Sequence, residues 1–474
     1  MSTTSSLSSL LSSTSSSSAI DISSILEAAT GASSAGIDVT SAVSAAVTAA
    51  EAPETAWQTQ ITTLASQTTA LTALQTDATN LDTDMQALNN LTGPLSTATV
   101  TSSNSNIVTA TAASGSATGV NVVVVNSLAT TASYTSTVAP SENSDLPAEG
   151  ITITNNSGDS TTITTGDGVD TLSDLAQAVN SAALGVTASI ITDASGSRLA
   201  ITSNVSGIEG NFTVTSTGTT FPFASAVTGS DASLTVNGIG IKSASNTVTG
   251  AVSGLTLSLL SANLGTSVSL SVAPNTADAS TAINQFVTDY NTAIAAVNAQ
   301  FADSGSGQGV LANDPTVRNL QSDLLQALDY TAAPASGSSA TTVPNLSSLG
   351  ISVNDDGTLS VDSTTLSNML QNNFSDVQNF FQGSALNGFA NSMDQQLTSF
   401  ISPADGAFTV DLQSISTQTS GLQTDITNFQ TNVITPLQTQ LQSEFSQAEV
   451  LLQQLPNQMK QIDEELGQTS SSES

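Results

Sequence analysis

Two rows of apolar residues at helical spacing, one toward each end of the chain, constrain this fold more than anything between them. Leu71, Leu74, Ala78, Leu81, Met85 and Leu88 advance in alternating steps of three and four, the a/d spacing of a coiled-coil seam. Leu422, Ile426, Phe429, Val433, Leu437, Leu441, Phe445, Ala448, Leu455, Met459, Ile462 and Leu466 form a second, longer row. A helix with an apolar stripe needs a surface to cover it. The two end segments are therefore expected to pack on each other, with pairing inside the chain along part of their length and room for pairing between copies along the rest. Pro53 removes a backbone donor and disfavours helix before it, so the helical run from Val39 to Leu91 should divide there into a short and a long helix.

Between about 97 and 273 the pattern changes to short runs rich in threonine and valine, punctuated by glycine and asparagine. Val120 to Val124, Ile151-Thr-Ile-Thr and Thr161-Thr-Ile-Thr read as strands. Asp170 or Thr171 is positioned to cap one short helix bearing Leu172, Leu175, Ala176 and Val179 on one face. Val186 to Thr192 and Leu199 to Thr202 suit one hairpin. Asn237-Gly238 suits another, because both residues tolerate the positive φ that such turns need. Helical spacing returns at Ile283, Phe286, Val287, Tyr290, Ile294 and Val297, and Asp314-Pro315 is a cap and first-turn proline ahead of Val317, Leu320, Leu324 and Leu328. The order is helix, β insert, helix.

Composition narrows what such a chain can do. Among 474 residues there are four lysines and arginines against 38 acidic residues, a formal charge of -34, and neither cysteine nor histidine. Phosphate backbones and anionic lipid are bound mainly through basic side chains, so nucleic acid and acidic membranes are excluded as partners. Thiol nucleophiles, Ser-His-Asp triads, disulfides and the usual zinc sites are excluded with them. Met1 to Ser18 is almost all serine and threonine, without the basic and apolar regions of a cleavable signal. Val120 to Val125 is far shorter than the roughly 20 residues a membrane helix needs. Export, if it occurs, is expected by a signal-independent route, and no membrane anchor is expected. The scarcity of basic residues suits an acidic habitat, where fewer carboxylates ionise.

Three local patterns invite a chemical reading, and each has a plainer one. Asn354-Asp355-Asp356-Gly357 resembles part of a calcium loop but lacks the later bidentate glutamate, whereas an Asp-Gly turn between Ile351 to Val353 and Thr358 to Val361 accounts for it. Gly305, Gly307 and Gly309 alternate without the lysine and helix start of a phosphate loop, and read as a flexible loop. The neighbours Asp355 with Asp356 and Glu464 with Glu465 have the residue types of a glycosidase acid/base pair, but nothing brings either to a cleft, so surface charge is the reading. No catalytic, cofactor or metal residue is assigned.

Five stretches, in order, resemble the flagellar filament cap, or hook-associated protein two, family. They are Gly36-Ile-Asp-Val-Thr40 with Glu51-Ala-Pro53, Asn246-Thr-Val-Thr-Gly-Ala-Val-Ser-Gly-Leu-Thr-Leu257, Phe286-Val-Thr-Asp-Tyr-Asn291, Gly309-Val-Leu-Ala-Asn-Asp314, and Leu349-Gly-Ile-Ser-Val-Asn-Asp-Asp-Gly-Thr-Leu-Ser-Val-Asp362 followed by Leu366, Leu370, Val377 and Phe381-Gln-Gly383. The resemblance runs from about 36 to 467. It departs in the C-terminal helices, where glutamine, threonine and serine stand in place of the family's charges.

The expected fold is α+β and multidomain, with N- and C-terminal helices paired as a coiled-coil or bundle leg around one or two small β domains. The divisions are a serine-rich disordered leader at 1–35, a helical leg segment at 36–96, a β-rich head at 97–273, a helical domain at 274–400 with a hairpin at 351–361, and a coiled-coil leg at 401–474. The resemblance implies a secreted, non-enzymatic structural protein at the flagellum tip. It would form a homo-oligomer, hold exported flagellin and promote its folding and insertion, and it would meet the export apparatus and the hook-filament junction proteins. The alternative is a surface adhesin whose β domain binds glycans. The assembly seam is assigned to Leu71, Leu74, Leu81, Met85, Leu88, Leu422, Ile426, Phe429, Val433, Leu437, Leu441, Phe445, Leu455, Met459 and Ile462.

Overall fold

The computed structural model describes residues 39–302, 307–333 and 342–469. The leader at 1–35, the first residues of the Gly36 motif and Gly305 lie outside the described residues.

Helix α1 (Val39–Ala50) is separated from α2 (Ala52–Asn89) at Glu51, and Pro53 occupies the first turn of α2, where its missing N–H has no intrahelical use. Threonine is a poor helix former because its hydroxyl competes for the backbone and its branched Cβ is stiff. Along α2 that competition is settled locally. Thr59, Thr72 and Thr79 donate to the carbonyls of Thr55, Thr68 and Gln75 one turn back, at 2.8, 2.8 and 2.7 Å.

The strands follow: β1 (Ala98–Ser102), β2 (Val108–Ala112), β3 (Gly119–Ser127), β4 (Thr131–Ser136), β5 (Gly150–Asn155) and β6 (Ser160–Thr164). Helix α3 (Leu172–Ser181) interrupts them before β7 (Val186–Asp193), β8 (Gly196–Ser206), β9 (Phe212–Ser216), β10 (Phe223–Val227), β11 (Ala232–Val236), β12 (Ile239–Ser243), β13 (Thr247–Val252), β14 (Leu255–Leu259) and β15 (Val268–Pro274). Helices α4 (Thr276–Phe301) and α5 (Pro315–Ala327) lead to a short hairpin, β16 (Ile351–Val353) and β17 (Leu359–Val361). The chain closes with α6 (Ser363–Asn372), α7 (Phe374–Gln382), α8 (Phe389–Ile401), α9 (Ala407–Phe429), a π-turn at Gln430–Ile434, and α10 (Thr435–Thr469).

These elements form two compact units. One comprises α1, α2 as far as Asn80, residues Thr292–Leu324, and the chain from Gln396 onward; the other comprises Leu81–Asn291 and Leu325–Gln395.

The second unit contains two antiparallel β lobes. In the first, a sheet ordered β1-β15-β3-β11-β12 and a sheet ordered β13-β14-β2 share a core that includes Val123, Val125, Leu234, Leu257 and Leu270. Strand β3 buries Val123 and Val125 while Val120 and Val122 face solvent. Alternation marks a strand, but only its partners decide which face is inward. The β11–β12 hairpin turns on Asn237 and Gly238, at φ 52° and 83°.

In the second lobe, sheets β10-β4-β8-β7 and β6-β5-β9 enclose α3 against Ile151, Ile153, Leu199 and Ile201. Thr171 and Asp174 make a reciprocal capping box at the start of α3. Glu149 is buried beneath the loop after β9, its carboxylate accepting from the Ser216 hydroxyl at 2.5 Å and the Thr220 amide at 2.9 Å. Those donors, the Ser216 hydroxyl first, hold its pKa below the ordinary glutamate range. A Cβ on Gly218 would fall 2.2 Å from Glu149 Oε1, so a side chain there would have to push the carboxylate off its donors.

The helical part of the second unit centres on aromatic rings. Phe380 stacks on Phe389 at 5.3 Å, and Phe286, Phe381 and Tyr330 meet Phe389 edge-on at 5.6, 5.8 and 6.0 Å. Tyr290 is buried beside them, and burial raises its pKa above the ordinary tyrosine value.

Candidate assembly surface

Within each unit, polar side chains clamp backbone groups of neighbouring segments. Asn291 accepts from the Leu359 N–H at 2.6 Å and donates to its C=O at 2.8 Å, tying α4 to β17. Asn246 does the same to Ala129, at 2.7 and 3.0 Å. Gln382, 3% exposed, donates to the carbonyls of Leu88 and Asn90 at 3.2 and 3.1 Å, supplying partners that the last turn of α2 lacks. Asp314 accepts from the Thr316 amide at 2.8 Å and caps α5. Each clamp belongs to one of the sequence stretches singled out above, so those stretches record backbone carpentry.

Of the first seam, Leu71 and Leu74 are buried in the first unit, and Leu81, Met85 and Leu88 are buried in the second. The C-terminal row divides along its length. Ile426 is buried; Leu422, Phe429, Leu437, Leu441 and Phe445 are half-buried. Within the first unit, Trp57 meets Phe429 edge-on at 5.4 Å, Glu54 accepts from the Gln430 side-chain amide, and α1 packs against α10. Thr63, Leu64 and Gln67 of α2 and Gly421, Leu422 and Asp425 of α9 line an open groove of about 570 Å³.

Val433 does not occupy the packed face that heptad counting assigns to it. It is 45% exposed, and Ile434 is buried in its place at 3%. The cause lies one turn on. Pro436 has no N–H, and its ring crowds the carbonyl four residues back. The chain responds with a π-turn, in which the Thr435 N–H and hydroxyl both reach Gln430 O. A π-turn takes an extra residue per turn, so the buried position moves from 433 to 434.

Beyond Ala448 the row is uncovered as far as Ile462. Val450, Leu451, Leu455, Met459 and Ile462 are 53%, 65%, 47%, 63% and 54% exposed. Solitary exposed apolar residues are ordinary, but a continuous apolar row on one helix marks a contact surface.

The patterns considered for chemistry have structural uses. Asp356 accepts from the Thr358 amide and hydroxyl at 3.0 and 2.6 Å within the β16–β17 turn, and those donors lower its pKa. Asp355 and Glu464 are exposed. The Gly309 N–H donates to Gln300 O at 3.0 Å, closing the loop after α4. Among the described residues, no group of three or more acidic side chains is placed to hold a metal ion, and no helix is long and apolar enough to cross a membrane.

Sequence reasoning did not single out Ile434, the Trp57–Phe429 contact, the buried Asp82 or the half-buried Asp84. The acidic residues beside Leu81 and Met85 were the signal for the last, since a helix in a bundle buries more than its a and d positions.

Comparison with known proteins gives one family at both ends of the chain. The model described as flagellar hook-associated protein 2 N-terminus matches residues 35–132, and the C-terminus model of the same protein matches 229–458. A flagellin hook IN motif matches 150–205, within the second β lobe. The B-type flagellar hook-associated protein 2 of Pseudomonas aeruginosa is 28% identical over 382 residues, which is 72% of this chain and 77% of that protein. The lateral flagellar hook-associated protein 2 of Vibrio parahaemolyticus is 26% identical over 175 residues, 36% of this chain and 37% of that protein. Among solved structures, the D1-D2-D3 domains of the Escherichia coli flagellar cap protein FliD superpose with a TM-score of 0.59 at 26% identity, covering 75% of this chain and 99% of that one.

Proposed function

Given that the chain belongs to the flagellar hook-associated protein 2 family, we propose that it is the structural cap of a bacterial flagellar filament, with several copies associating at the distal tip. The observation that supports assembly is the uncovered apolar row from Val450 to Ile462, a surface with a use only when something covers it. In this reading α10 and the segments packed with it form the part that grips neighbouring subunits, and the β lobes pack between copies. Exported flagellin is the further partner, held and folded at the tip by repeated weak contacts. The helices have few charges, so these contacts depend on apolar burial and little on salt. The role needs no covalent chemistry. The adhesin alternative draws no support from the relatives.

A strain lacking its cap protein tests the reading. The full chain should restore filament growth and appear outside the cell at filament ends, and a chain truncated before Val410 should do neither. Capping by the truncated chain would refute the part assigned to α9 and α10. A full chain that stays monomeric in light scattering at all concentrations, and fails to restore filaments, would refute the cap.

A further inference from the structure

Near the end of α2, Asp82 and Asp84 turn carboxyl groups into the helical part of the second unit, and each meets another carboxyl. Asp82 is 6% exposed, and Gln86 Nε2 bridges it to Asp394 of α8, lying 2.8 Å from Asp82 Oδ2 and 3.2 Å from Asp394 Oδ1. Asp84 faces Asp289 of α4, whose other contact is the Gln285 amide at 3.0 Å. Asp82 Oδ1 and Asp84 Oδ2 are buried and receive no hydrogen bond from any N–H or neutral hydroxyl. An orphaned buried carboxylate oxygen is costly, and two ionised carboxylates in contact are costlier. A proton between each pair removes both costs.

Among the described residues, no lysine or arginine forms an ion pair with either aspartate. The chain has four lysines and arginines, and among the described residues the one ion pair is Arg198–Asp193. Asp394 and Asp289 are the charged groups that bear on Asp82 and Asp84. Asp376 and Asp278, on helices of the same unit, are engaged by Thr342 and Thr97. Asp77 lies farther up α2, in the other unit.

We propose that Asp82–Asp394 and Asp84–Asp289 are two proton-sharing latches that fasten the end of α2 to α8 and α4 in acid and loosen when both members of a pair ionise. Burial first, and the facing carboxyl second, push Asp82 and Asp84 up to about 7. In the unfolded chain each would titrate near its free value of about 3.9. The stabilisation is therefore complete below about pH 4 and is lost as pH rises toward 7. This inference stands apart from the cap reading.

Amide hydrogen exchange of residues 81–89 in the full chain, corrected for intrinsic rates, reads the latch directly. Opening that releases two protons should raise the opening constant about 100-fold per pH unit between roughly pH 5 and 6.5. Asp82→Asn, whose amide mimics the protonated acid, should reduce this to about 10-fold, and Asp82→Asn with Asp84→Asn should leave only the background slope of the other carboxylates. Asp394→Asn with Asp289→Asn takes away the facing carboxyl and leaves the burial, so the steep dependence should persist but end at a lower pH, and this shift decides the matter if the α2 variants fold poorly. An unchanged slope in Asp82→Asn with Asp84→Asn, or an unchanged pH range in Asp394→Asn with Asp289→Asn, would overturn the proposal. Recovery of protection at pH 8 on adding calcium or magnesium, in wild type and not in the variants, would also overturn it, by assigning the site to a metal ion.

Discussion

Replacing Leu455, Met459 and Ile462 together by glutamine separates a surface made for assembly from one that merely fails to be buried. Glutamine keeps helix propensity near that of leucine and methionine, so α10 itself should persist. Fully burying a leucine, isoleucine or methionine is worth about 1.5–3 kcal/mol. These three are 47%, 63% and 54% exposed in the isolated chain, so a covering partner would gain about half of that, ~1 kcal/mol for each. The triple variant should lose ~3 kcal/mol per covered surface, or ~100-fold in association constant. Thermal unfolding of the monomer should change by less than ~0.5 kcal/mol per substitution, as for other exposed positions. Sedimentation across a concentration series measures the first quantity and calorimetry the second. Association at wild-type concentrations would refute the argument. So would a monomer destabilised as much as by Leu74→Ala, which removes a side chain that is buried in the chain alone.

Phe389→Ala should cost ~3–5 kcal/mol in denaturant unfolding, because Phe389 touches four other rings of the buried cluster and nothing adjacent can fill the space. Glu149 has a lowered pKa, so its contribution is present above its unfolded value near 4.3 and is lost as pH falls through its folded value. Exchange at residues 216–221 should accordingly speed up, after correction, between pH 6 and pH 3, and Glu149→Gln should remove that dependence. The absence of native cysteine allows a clean test of the π-turn. With Pro436 present, a thiol-specific label should react faster with Cys in Val433→Cys than in Ile434→Cys, and adding Pro436→Ala should reverse the order; continued protection at 434 would show that packing, not proline, holds the π-turn.

What could be read from the sequence is what depends on neighbours a few residues away. The α+β class, the break before Pro53, the Thr171 cap and the Asn237-Gly238 turn each follow from one or two residues and the backbone geometry they favour. Burial of the Leu71 to Leu88 row follows from a stripe too apolar to leave in water. What the sequence leaves open is decided by a distant partner or by a change of helical pitch. Val433 was assigned by counting sevens through a stretch where Pro436 alters the residues per turn. The inward face of β3 is set by β11 and β15, which run beside it from far along the chain. Asp82 and Asp84 follow the same logic. A coiled-coil seam leaves flanking positions at the edge, where acids are solvated, but a helix packed among several others buries those positions too. An acid there must then find a proton, an amide or another acid, and Asp82 has the Gln86 amide and the Asp394 carboxyl within reach. A chain this poor in cations leaves the proton as the available neutralising charge, which joins its unusual composition to a specific place in its fold.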